Sequence, residues 1–238
     1  MSGHSHWATT HRQKGVNDAK RAAIFTKAGR LVTIAAKGGG NPDMNFKLRL
    51  AIDQARAVNM PKDRIDRAIK IGTGESKEGA EIDELLYEAY GPGQVALLIG
   101  VATDNRNRSV GEVRTLLTKN GGKMVAEGAV AYLFKSVGEI AVSLDGKDRD
   151  EAELLAIESG AEDVSVDDGN LIVFTKPDQL QMVKESLEKN GFTVESAALS
   201  YSPTQKASAS AEDTEKLERL LEILDDHPDV QTVWDNLE

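Results

Sequence analysis

Histidine, tryptophan, arginine and lysine crowd the start of the chain, and each suits a different part of a nucleic acid. His4, His6, Trp7 and His11 offer flat faces on which bases stack, a contact of about 1–3 kcal/mol per base. Arg12 and Lys14 stand among them, and Lys20 and Arg21 follow as cations for phosphate. The stretch is polar, basic and without periodicity, which reads as a mobile arm. Trp7 has a second use open to it, as an apolar plug that docks the arm on the first helix. Zinc is a poor fit, because the three histidines have no fourth ligand beside them. Were Met1 removed, Ser2-Gly3-His4 would present an amine and an imidazole able to wrap Cu²⁺ or Ni²⁺ in square-planar nitrogen geometry. No resident metal and no cofactor is expected.

Other candidate chemistry is sparse. The chain has no cysteine, and neither a phosphate-binding G-x-x-x-x-G-K-[ST] nor a nucleophile-elbow G-x-S-x-G occurs. Gly38-Gly39-Gly40 follows a helical pattern and not a strand, so it reads as a helix stop. Asp163, Asp167 and Asp168 fall in turn regions and read as solvated surface. The segment Thr103–Arg108 is a second candidate site. It leads from a strand into a helix N-terminus, where backbone N–H groups can hold an anion and Arg106 and Arg108 would add charge. Alternatively, Asp104 and Asn105 cap the helix themselves. No catalytic residue is identified, and the chain reads as a non-enzyme.

The charge is segregated. Residues 1–79 hold 15 Lys and Arg against 7 Asp and Glu, a balance of +8. Residues 80–238 hold 14 against 32, a balance of −18. A basic front end on an acidic body can hold a polyanion at one end and repel it elsewhere. The length of 238 residues suits two or three domains. The absence of cysteine excludes a disulfide scaffold and fits a reducing cytoplasm. The first residues carry no signal-peptide pattern. Val95–Ala102, broken by Gly100, is the longest apolar run and is too short to cross a membrane, so no membrane partner is expected.

The elements that must position these residues follow from periodicity. A helix is predicted from Asn17 to Lys37, with Ile24, Ala28, Leu31 and Ala35 on one face and Lys20, Lys27, Arg30 and Lys37 on an adjacent stripe. A second runs from Asp43 to Val58 and shows Arg49 and Arg56. A third, Lys62 to Ile71, shows Lys62, Arg64, Arg67 and Lys70 after the Asn59-Met60-Pro61 break. Asp63 and Asp66 in this helix disfavour deep entry into a duplex groove, so phosphate contact is favoured over base readout. From residue 84 the pattern becomes that of strands, with a hairpin at Gly91-Pro92-Gly93, a helix over Ser109–Asn120, and short strands at Lys123–Val125 and Ala129–Phe134. Residues 138–200 then read as βαββαβ, the ferredoxin-like order. A Ser- and Ala-rich linker leads to an acidic helix with Leu217, Leu220, Leu221 and Leu224 in register, then a strand over Val230–Trp234. The expected class is α+β and multidomain: a basic arm and three-helix domain (1–79), a middle α/β domain (80–135 with 203–238), and an inserted ferredoxin-like domain (136–202).

SGHSHW, DAKRAAIFTK, NMPKDRIDRAI, YEAYGPGQVALLIGVATDNRNR, VRTLLTKNGG and GAVAYLF together resemble the YebC family, over essentially the whole chain. Where family members more often have lysine before the tryptophan, this chain has His6. The resemblance implies a helical N-terminal domain, two α/β domains and a binding factor without catalysis. Bacterial members are called probable transcriptional regulators, which implies DNA. Mitochondrial relatives activate translation of cytochrome c oxidase, which implies RNA and the ribosome. The expected function is therefore nucleic-acid-binding regulation of gene expression, gripping phosphate through His4, His6, Trp7, His11, Arg12, Lys14, Lys20, Arg21, Lys27, Arg30, Arg49, Arg56 and Arg64. The lean is towards ribosomal or messenger RNA and translation, with transcriptional control on DNA as the alternative. A small-molecule-sensing ferredoxin-like regulator is a further alternative. The acidic domains would meet protein partners.

Overall fold

The structure is a computed structural model and describes residues 18–76, 81–144, 146, 148–167 and 169–238. These residues fall into two compact units. One runs up to Phe134 and resumes with Pro203–Glu238; the other is Lys135–Ser202.

The first unit begins with three helices, α1 (Asp18–Ala36), α2 (Phe46–Ala57) and α3 (Lys62–Gly72). Their small and branched residues interlock: Ala28, Val32, Ala36, Leu48, Ala51, Ile52, Ala55, Ile65 and Ala68 form one core. The α1–α3 approach is close because Gly72 has no side chain; a Cβ there would collide with the Thr33 carbonyl oxygen. Thr33 reinforces the contact by donating across it to the Ala68 carbonyl at 3.2 Å. Asn45 starts α2 by accepting from the Leu48 N–H. Asn59, at φ 59°, turns the chain into α3.

A four-stranded antiparallel sheet follows, in the order β3-β1-β2-β8. Its strands are β1 (Asp83–Tyr90), β2 (Ala96–Thr103), β3 (Lys123–Val125) and β8 (Val230–Asp235), with α4 (Arg106–Lys119) and α7 (Ala211–Asp225) packed on one face. Leu97, Ile99 and Val101 alternate onto that face, where they meet Val113 and Leu117 of α4 and Leu217, Leu220, Leu221 and Leu224 of α7. Each fully buried leucine contributes about 1.5–3 kcal/mol. β8 pairs with β2, so the end of the chain completes the sheet. Asn236 then clips the strand ends: its Oδ1 accepts from the Ala96 N–H at 2.8 Å and its Nδ2 donates to the Gln205 carbonyl at 2.9 Å.

The second unit carries β4 (Phe134–Ser143), α5 (Arg149–Glu158), β5 (Asp163–Asp167), β6 (Asn170–Thr175), α6 (Leu180–Lys189) and β7 (Thr193–Pro203). The sheet order β5-β6-β4-β7 is that of a ferredoxin-like βαββαβ unit. Gly138 admits α6: a Cβ there would lie 2.8 Å from Leu180 Cβ. Ile140 and Val142, on the same side by alternation, are fully buried. One local expectation fails. Residues 131–133 form a 3₁₀ turn, not a strand, and β4 starts only at Phe134. The Glu88 carboxylate imposes the turn by accepting from the Gly128, Val130 and Ala131 N–H groups at 2.6–2.9 Å.

Candidate nucleic-acid interface

Asp229 is the electrostatic hub of the first unit. It precedes β8 and its side chain is 1% exposed. Arg30 of α1 donates to one carboxylate oxygen at 2.6 Å. Arg108 and Ser109 of α4 donate to the other at 2.9 and 2.5 Å. Thr103 Oγ1, at the end of β2, lies 2.7 Å from Ser109 Oγ and accepts from the Asn105 N–H at 3.0 Å. Burial by itself raises the Asp229 pKa, but the bonds from Ser109, Arg108 and Arg30 outweigh it and pull the value down to about 2. Arg30 also donates to the carbonyls of Pro228 and Ala102, at 2.6 and 3.1 Å. One turn earlier, Lys27 binds both the carbonyl and the carboxylate of Asp225. Two turns later, Lys37 reaches the Ile82 carbonyl at 2.8 Å and Glu81 at 3.3 Å. This flank of α1 is a ladder of cations joined to the acidic part of the same unit.

Other cations of the helical region stay at the surface. Arg21, Arg56, Lys62, Arg64 and Lys70 are exposed. The Arg64 guanidinium sits over the Phe25 ring, 5.5 Å from its centroid, a cation–π contact. Arg21 lies one helical turn before Phe25 and so on the same side of α1. Arg56 has Asp53 at 3.9 Å and remains 71% exposed. Residues 18–76 hold 12 Lys and Arg against 6 Asp and Glu, a net +6.

The chain's similarity to known proteins covers both parts of this arrangement. Residues 5–75 match the profile of the TACO1/YebC protein N-terminal domain, and residues 82–237 match that of the TACO1/YebC second and third domain. The chain belongs to the TACO1/YebC family. Among its relatives is a probable transcriptional regulatory protein of Fervidobacterium nodosum, 47% identical over all of this chain and 94% of that protein. A probable transcriptional regulatory protein of Treponema denticola is 46% identical over 100% and 96% of the two chains. The crystal structure of a conserved hypothetical protein from Aquifex aeolicus superposes with a TM-score of 0.90 at 42% identity, covering 98% of this chain and 97% of that one. Among the described residues, no helix is long and apolar enough to cross a membrane.

Within this TACO1/YebC fold the residues singled out by sequence separate into three groups. His4, His6, Trp7, His11, Arg12 and Lys14, and the Ser2-Gly3-His4 metal motif, lie outside the described residues, as does the Lys20 side chain. Arg21, Arg56 and Arg64 are exposed. Lys27, Arg30 and Arg49 are engaged inside the first unit. Arg49 staples the turn before α2 by donating to the Pro42 and Asp43 carbonyls at 3.1 and 3.0 Å. For these three, acceptors of the same chain hold donors that the sequence offers to phosphate.

The 103–108 segment holds a helix cap. Asn105 caps α4 by accepting from the Arg108 N–H at 3.1 Å. Arg106 forms a two-pronged pair with Asp83 at 2.7 and 2.9 Å, and Arg108 also binds Asp104 at 2.7 Å. Both guanidiniums therefore pair with carboxylates of the same chain. Glu112, His227 and Asp229 bring three potential ligand atoms within 4.8 Å of one another. His227 Nδ1 accepts from the Asp229 N–H at 3.2 Å, which leaves Nε2 to donate to Glu112 at 3.1 Å. With two guanidiniums on Asp229 as well, this cluster is closed by its own bonds.

Sequence reasoning missed Asp229, Ser109, Phe25 and Glu88. Asp229 had a signal: Asp225-Asp226-His227-Pro228-Asp229 is an acidic run, and it complements the Lys27–Arg30 stripe.

Proposed function

We propose that this chain is a non-enzymatic, cytoplasmic regulator of gene expression that holds nucleic acid on the exposed basic surface of its helical region, and that its target is RNA, ribosomal or messenger. The observation that carries the reading is the coincidence of sign and exposure. Arg21, Arg56, Arg64, Lys62 and Lys70 face solvent on a region of net +6, while residues 81–238 carry −18. A polyanion is attracted to the first and repelled by the second. Exposed Asp63 and Asp66 on α3 weigh against a helix buried in a duplex groove and favour contacts to backbone and splayed bases, the usual mode for RNA. The acidic remainder is left to meet protein partners.

DNA-bound transcriptional control is the second reading, favoured by the names of the bacterial relatives. Ultraviolet crosslinking in living cells, with sequencing of all attached nucleic acid, separates the two. RNA clustered at defined ribosomal or messenger sites is the expected result. Promoter DNA with RNA at background would replace it by the transcriptional reading, and background levels of both would end the nucleic-acid assignment.

A further inference from the structure

We infer that Phe25 and Arg64 form a preorganised platform on which one base of a single-stranded RNA stacks, with Arg21 placed for an adjoining phosphate. The inference rests on the nucleic-acid reading above and adds to it a stacking site made by two helices.

The platform is built from the core outwards. Phe25 is half-buried and packs against the three-helix core, so its ring is fixed. α1 and α3 are locked together by the Gly72 approach and the Thr33–Ala68 bond, which fixes where Arg64 emerges. Arg64 then lies over the ring, 5.5 Å from the centroid, while remaining exposed. A guanidinium is planar, always charged and weakly hydrated, and a ring beneath it reduces the freedom it loses on binding. A planar, weakly hydrated cation held in this way is a stacking surface for a base, as arginine planes are in RNA complexes.

Phosphate contact has other cations close by: exposed Arg67 follows Arg64 by one turn along α3. Arg21, one turn from Phe25 along α1, offers the nearby charge for the backbone. Arg49 and Arg56 lack the arrangement: Arg49 is held by backbone carbonyls, and Arg56 lies beside Asp53.

The test uses the full chain, a fluorescein-labelled single-stranded RNA of mixed sequence, and the duplex of the same sequence, read by anisotropy. Arg64→Lys keeps the charge and removes the plane; Phe25→Leu keeps an apolar side chain and removes the ring. Each is expected to weaken single-strand binding about five- to tenfold, with duplex affinity unchanged within about twofold. The dependence of affinity on salt should stay as in the wild type, since no cation is lost in either variant. Arg64 is a surface residue, so Arg64→Lys decides the matter even if Phe25→Leu fails to fold. Wild-type affinity for the single strand in Arg64→Lys, or equal losses on single strand and duplex, would overturn the platform alone. A wild-type chain that binds neither RNA would overturn the function proposed above together with it.

Discussion

On one flank of α1, Lys27 and Arg30 end on the carboxylates and carbonyls of residues 225–229. On another side of the same helix, Arg21 stays exposed, one turn from the ring that carries Arg64. The residue types are alike and the sequence separation is less than three turns, yet one group joins the chain to itself while the other faces solvent. The difference lies in the acceptors. Asp229 is buried, and a buried carboxylate requires hydrogen-bonded counter-charge; it takes Arg30 and Arg108 whatever else those cations might bind. A basic stripe is therefore an electrostatic footprint for a polyanion only after the chain's own carboxylates have been satisfied.

The largest break in this comparison comes from the acceptor. Asp229→Asn keeps the shape and removes the charge, leaving Arg30, whose side chain is 16% exposed, and Arg108 without their shared counter-ion. The expected loss is about 3–5 kcal/mol, the usual consequence of removing one member of a buried pair, read by urea denaturation. Proton linkage gives a second signature. The folded-state pKa of Asp229, about 2, is below the unfolded value near 3.9. Its contribution is thus fully present above about pH 4 and disappears as the pH falls through about 2. The wild type should lose more stability than Asp229→Asn across that window. Parallel curves would remove Asp229 from its place as the hub.

Arg30→Gln tests the same ladder from the other side. It removes three donor contacts, but Arg108 and Ser109 still hold the carboxylate, so the expected loss is smaller, about 2–3 kcal/mol. At temperatures where the variant is folded, the slope of log affinity against log salt should match the wild type. A slope reduced by about 0.9 would mean that Arg30 neutralises a duplex phosphate, and the contrast between the two flanks would fail.

The fold was legible because its signals are local or strictly periodic. Glycine and proline mark the hairpin at 91–93, short unbroken apolar runs bounded by turn residues mark β2 and β6, and the βαββαβ order follows from element succession alone. The strand expected at Ala129–Phe134 failed because Glu88, some forty residues away, holds the N–H groups of that turn. No window centred on 129–134 contains that carboxylate. The candidate site was half legible for a related reason. Helical spacing placed Lys27, Arg30 and Lys37 on one stripe, but spacing along a helix does not say what the stripe faces. For Lys27 and Arg30 the answer lay nearly two hundred residues further on, at the end of α7 and in the turn before β8; for Lys37 it lay at Glu81 and Ile82. Phe25 was passed over because one aromatic within an apolar helix pattern looks like core. It is partly core, and only the arrival of α3 places Arg64 on its outer face.

The smallest effect sharpens the exposed side of the comparison. Arg56 is 71% exposed and its contact with Asp53, at 3.9 Å one turn away, is a surface pair of little consequence for stability. Arg56→Gln should change the unfolding free energy by less than about 0.5 kcal/mol. If Arg56 meets backbone phosphate, the same change should weaken binding to all duplex sequences alike and lower the salt slope by about 0.9. Two outcomes separate its possible roles. Weakening confined to one sequence would assign Arg56 to base readout. An unchanged slope with unchanged affinity would place it outside the interface and narrow the nucleic-acid surface to the side of the helical region that carries Arg21 and Arg64.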